Sequence, residues 1–126
     1  SGDTITGYPA PGAEKTGSHG LEWVDGELWI TTPPSATIYR MNPETWKIKH
    51  SIPAPGDRPH GLAWENGRLW CVDTNENAVF LYDPESGEQL ERIDVIGTEP
   101  HGFTMWQGEF WICDATTCEV YRGVRD

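Results

Sequence analysis

The chain has 126 residues, 37% of them hydrophobic, and seven tryptophans, enough apolar and aromatic area for one packed domain and too much for a disordered segment. Twenty Asp and Glu against nine Lys and Arg leave a net charge of −11, which argues against nucleic acid and anionic bilayers as partners and leaves cations or small polar molecules. No apolar run approaches the roughly 20 residues of a membrane span, and Ser1-Gly2-Asp3 does not open a signal peptide, so a soluble chain without a membrane partner is expected.

Residues 1–18 hold a short strand-like segment over 3–11 and a linker. The strand-like segment ends in Tyr8-Pro9-Ala10-Pro11-Gly12, which returns later in the chain as Ile52-Pro53-Ala54-Pro55-Gly56. A 41-residue repeat then begins. His-Gly occurs at 19–20, 60–61 and 101–102, and the register holds without a gap through Gly26, Gly67 and Gly108, through Trp29, Trp70 and Trp111, and through Tyr39, Phe80 and Tyr121. The repeats span 19–59, 60–100 and 101–126, and with residues 1–18 they form a single domain.

The middle copy shows what each repeat builds. Gly61–Trp64 is a first strand, A. Asn66-Gly67 is a tight hairpin turn, Arg68–Asp73 is strand B, and Thr74–Asn77 is a polar turn. Ala78–Tyr82 is strand C, Asp83–Gly87 is a turn with Pro and Gly in place, and Glu88–Val95 is strand D. No stretch sustains a 3.6-residue apolar period, so almost no helix is expected. The fold class is all-β, with three four-stranded units of the length that marks propeller blades. The repeated strand-B tryptophan reads as the wedge between blades.

The third copy stops after strand C, and the segment 3–11 ahead of the first copy reads as a spare strand D. The expectation is a homodimer in which the N-terminal strand of each protomer completes the third blade of the other, closing a six-bladed propeller. Of the three cysteines, Cys113 and Cys118 enclose a four-residue turn that could bring their sulfurs into a disulfide, with free thiols as the simpler reading; Cys71 packs as a small hydrophobe.

The loop before strand A and the loop between B and C fall at the same end of a blade. His19, His60 and His101 therefore share one face and ring the mouth of the central channel. Thr32, Asp73 and Asp114 align at the end of strand B on that face, and Asn75 follows in the loop. Imidazoles with carboxylates could hold a divalent metal such as magnesium through His60, His101, Asp73 and Asp114. A His positioned by an Asp could act as a general base. The plainer reading is structural, because catalytic residues are singular and these histidines recur in every copy.

Pro59-His60-Gly61-Leu62, Leu69-Trp70 and Tyr8-Pro9-Ala10-Pro11 resemble the blades of streptogramin lyases (the virginiamycin B lyase family) and of the wider NHL-like propellers. The resemblance implies a channel-mouth histidine acting as base in an eliminative ring opening, helped by magnesium, with His60 and His101 at the matching positions. Three functions are therefore in view. The leading one is a self-assembling binding or scaffold module whose channel face takes a small ligand or metal through His19, His60, His101, Thr32, Asp73, Asp114 and Asn75. The others are a lyase or hydrolase using His60 or His101, and a protein-interaction propeller.

Overall fold

A computed structural model describes residues 2–125. Eleven strands form three antiparallel sheets among these residues. The first sheet runs β1 (Gly20–Val24), β2 (Glu27–Thr32), β3 (Thr37–Met41) and β4 (Ile48–Pro53) in order. The second repeats the order with β5 (Pro59–Glu65), β6 (Arg68–Asp73), β7 (Ala78–Tyr82) and β8 (Gln89–Asp94). The third holds β9 (Pro100–Trp106), β10 (Glu109–Asp114) and β11 (Val120–Val124). The only helical turn among the described residues is a 3-10 turn at Pro33–Ser35.

Local sequence sets these meanders. Each A–B hairpin turns on two residues with positive φ, Asp25-Gly26, Asn66-Gly67 and Gln107-Gly108, the geometry that matches the twist of the flanking strands. Each C–D turn is closed by an Asn or Asp side chain. Asn42 Oδ1 accepts from the N–H of Glu44 and Thr45 at 2.9 and 3.1 Å, and Asp83 Oδ1 accepts from Glu85 and Ser86 at 3.0 Å.

The sheets pack face to face like blades. Trp29, Ile38 and Ile52 of the first blade meet Leu62, Leu69, Cys71 and Phe80 of the second. Trp70, Val72 and Val79 of the second meet Phe103 and Ile112 of the third. The two buried tryptophans are the wedges the repeat predicts. The innermost strands run side by side, with β5 against both β1 and β9. Glycine makes that approach possible. A Cβ on Gly20 would overlap the backbone carbonyl of His60, and one on Gly61 would lie 2.6 Å from the backbone nitrogen of Phe103.

Residues 3–11 form no strand within one chain, because no strand lies beside them to complete a ladder. They lie against the first blade instead, with Tyr8 stacked on Trp46 at 4.6 Å. Cys113 and Cys118 are free thiols: Cys113 accepts the N–H of Gly102, and Cys118 sits in the left-handed region at the end of the turn, at φ 60°. Cys71 is fully buried between the first two blades, as expected of a small hydrophobe. No helix among the described residues is long and apolar enough to cross a membrane.

Candidate functional site

The close approach of the inner strands brings the three histidines into one stack. The rings of His19 and His60 lie 4.5 Å apart at 73°, and those of His60 and His101 lie 4.4 Å apart at 59°. His60 is the buried middle member, while His19 is exposed and His101 half-buried.

Backbone carbonyls fix the tautomer of two of them. His60 Nδ1 lies 2.8 Å from the carbonyl of Arg58, and His101 Nδ1 lies 3.0 Å from that of Glu99. A carbonyl only accepts, so both Nδ1 atoms carry the proton. The Nε2 atom of each ring is left with its lone pair and has no protein partner among the described residues. Thr74 sits 3.0 Å from His60 Nδ1 and donates its own proton to the carbonyl of Pro100 at 2.6 Å, tying the second blade to the third. Burial lowers the pKa of His60 from its ordinary value, and the neighbouring charges of His101, His19 and Arg58 push the same way. The stack therefore holds a neutral imidazole at its centre near pH 7.

The carboxylates do different work. Asp73 Oδ1 accepts from the N–H of Asn75 and Glu76 at 3.0 and 3.1 Å, and its Oδ2 accepts from Arg58 N–H at 3.1 Å. Asp114 repeats the pattern with Thr116 and Thr117 on Oδ1 and Thr98 and Glu99 on Oδ2, at 2.7–3.0 Å. Each aspartate thus staples its B–C turn to the loop entering strand A. The two differ in charge behaviour. Burial raises the pKa of Asp73. The N–H donors to Asp114, with Thr117 foremost, hold its carboxyl far below the usual range. In the first blade the same link is made by hydroxyls, Thr32 Oγ1 to Ser18 Oγ at 3.0 Å. Asn75 is exposed and bridges Asp57 and Arg58 through its side chain.

The structure thus gathers His19, His60 and His101, and places Thr32, Asp73 and Asp114 behind them as loop fasteners. No group of three or more His, Cys, Asp or Glu side chains is arranged to hold a metal ion among the described residues. Beside the stack lies an open cleft of about 300 Å³, lined by Thr16, His19, Pro33, Pro34, Asp57, Arg58 and His60. Arg58 and Thr74 were not expected at this site. The available signal was departure from the repeat: Arg58 corresponds to Gly17 and Glu99, and Thr74 to Pro33 and Ala115, so both are particular to the second blade.

No protein-family model matches the chain, and no curated protein matches it. Solved structures do. Virginiamycin B lyase from Staphylococcus aureus, in a catalytically inactive variant with quinupristin, is 19% identical with a TM-score of 0.66, over 94% of this chain and 43% of that one. The Myxococcus xanthus glutaminyl cyclase is 17% identical with a TM-score of 0.67, over 90% of this chain and 58% of that one. The WD40 propeller domain of Doa1 is 12% identical with a TM-score of 0.71, over 91% and 39%. The chain thus spans between about two-fifths and three-fifths of the length of these proteins, and its fold is that of β-propeller blades.

Proposed function

We propose that this chain is a self-assembling half-ring: two copies close a six-bladed propeller whose histidine-ringed channel mouth receives a small polar or cationic ligand. One observation carries the closure. The two outer faces of the three-blade row are the two halves of the contact that joins its blades. Trp29 and Trp70 are 2% and 1% exposed because each is covered by the next blade, whereas Trp111, at the same repeat position, is 36% exposed. Leu62 and Phe103, which receive those wedges, are 3% and 9% exposed, whereas the corresponding Leu21 is 62% exposed beside an exposed Trp23. A Trp111 face and a Leu21 face are therefore complementary, and two copies offer each of them twice.

The expected result is a particle of twice the chain's mass by light scattering at micromolar concentration. Trp111→Lys should give a monomer with unchanged far-ultraviolet dichroism, since within its own chain Trp111 is an exposed side chain whose ring meets Arg122 at the surface rather than a buried wedge. A monomeric parent chain at tens of micromolar would sink the closure.

A second reading, a lyase-type base at the channel mouth, is supported by the proton on Nδ1 of His60 and His101, which leaves Nε2 basic. Quinupristin is the probe, because the lyase that shares the fold was solved with it. Chromatography should resolve a ring-opened product that His60→Asn and His101→Asn chains do not form. If the parent chain leaves quinupristin intact, this use of the site is excluded for that substrate and the binding role stands alone.

A further inference from the structure

The N-terminal segment lies on the first blade along the track that β4 follows on the second. Ile52 and Pro53 of β4 pass against Gly87, which turns between β7 and β8 with φ 74°. Trp46 holds the same position in the first blade, also with positive φ, at 57°. Tyr8 and Pro9, the residues that match Ile52 and Pro53, lie against it: the Tyr8 ring stacks on the indole at 4.6 Å and 18°, and Trp46 Nε1 donates to the Pro9 carbonyl at 2.7 Å. Further on, Gly56 abuts Asp73 and Glu76, and Gly12 abuts Ser35 and Tyr39. Ser35 and Glu76 share one repeat position. Two contacts four residues apart therefore place residues 8–12 where the outer strand of a preceding blade would run.

A strand in that lane has a strand C beside it in the other two blades that possess one, and residues 2–10 have none in their own chain. β11 is a strand C whose pairing among the described residues is with β10 alone. We infer that Trp46 is a clasp that holds the N-terminal segment in this lane and presents its open edge to β11 of a second copy of this chain. The inference rests on the closure proposed above and gives it a register. Ile38 pairs with Ile52 and Arg40 with His50 in the first blade, and Val79 with Ile93 and Leu81 with Glu91 in the second. Carried over by the repeat, Val120 faces Tyr8 and Arg122 faces Thr6 of the other copy. The clasp is particular to this position. Blade two has glycine at its counterpart, where β4 is already held by its ladder with β3, and an unladdered segment requires a side-chain hold instead.

The test is a cross-link. In a chain with its three cysteines replaced by alanine, Thr6→Cys and Arg122→Cys should oxidise to a covalent dimer, because facing residues on antiparallel strands bring Cα atoms within disulfide range. Adding Trp46→Gly, or separately Tyr8→Ser, should slow the cross-link at least tenfold. Either change should also expose residues 8–12 to rapid hydrogen exchange while the blades keep their dichroism. If the parent cross-links and both variants cross-link equally fast, the clasp is wrong and the closure survives. If the parent stays monomeric and does not cross-link, the closure beneath it fails as well.

Discussion

His60 shows how one buried side chain can couple solvent conditions to the fold. Its Nδ1 proton is held by the Arg58 carbonyl, its ring lies between two other imidazoles, and burial lowers its pKa below the ordinary 6.5. The unfolded chain therefore binds a proton at a higher pH than the folded one. The neutral ring's contribution to stability is complete above about pH 6.5 and is lost as pH falls through the lowered folded value. Melting temperature should drop between pH 7.5 and 5.5, and His60→Asn, which keeps a donor near the Nδ1 position, should flatten that part of the profile. An unchanged slope in the variant would mean that another group sets it. Asp73 acts in the opposite sense, since its pKa is raised, and its window begins near the ordinary carboxylate value, well below that of the histidine. At this scale the sequence was only half legible. The histidines could be aligned by eye, but the role of Asp73 and Asp114 could not, because a carboxylate ringed by backbone N–H groups and one aimed into a channel look alike in the chain. The fastening hydroxyls of Thr32 and Ser18 in the first blade were the available hint that the position serves the loop.

At the scale of strands and turns, period and turn chemistry carried most of the fold. Asn66-Gly67 and its two counterparts announced the hairpins, and the Asn42 and Asp83 turns followed from Pro43 and Pro84 at one offset, with Gly87 closing the second. β4 and β8 could be placed from the repeat although their outer faces are exposed and mixed in character. The strand expected over residues 3–11 depends on a partner outside its own chain. A strand is a property of a pair, and the sequence of one member does not reveal whether the other is present. What the sequence did contain was the match of Tyr8–Gly12 to Ile52–Gly56, and the segment's path over the first blade follows that match even without a ladder. Trp46 was passed over because it breaks the repeat. A bulky residue in the left-handed region costs about 1–2 kcal/mol relative to glycine, and the stacking and indole hydrogen bond to the N-terminal segment offset a cost of that size. Departures from a repeat deserve the same reading as the repeat itself, as Arg58 and Thr74 also show. The pairing left open for Cys113 and Cys118 turned on direction: Cys113 shares the outward side of β10 with Trp111, beside Thr104 and Val120.

For the whole molecule, the blade-to-blade contact is a single rule used twice, and the glycines after the first two histidines are part of it. Gly20 and Gly61 leave room for the neighbouring inner strand, and a Cβ at either position would meet backbone rather than a side chain that can swing aside. Gly61→Ala should therefore cost several degrees of melting temperature. Gly67→Ala, in a hairpin with open space around it, should lose only what its positive φ imposes. Equal losses at the two sites would show that crowding at Gly61 is relieved by movement of the blades. The sequence displayed this glycine three times over, yet its reason became visible only once β5 stood between β1 and β9, because close approach is a relation between blades.

That crowding also fixes a curvature. How near the inner strands come sets the angle through which each blade turns from the last, and a row of three blades meets its own copy head to tail only if those turns add up to half a circle. Widen the gap at Gly61 and the end faces stay complementary but no longer point back toward each other. Under the closure proposed above, copies would then add in an open spiral, and the smallest side chain in the repeat would decide between a closed ring and a fibre.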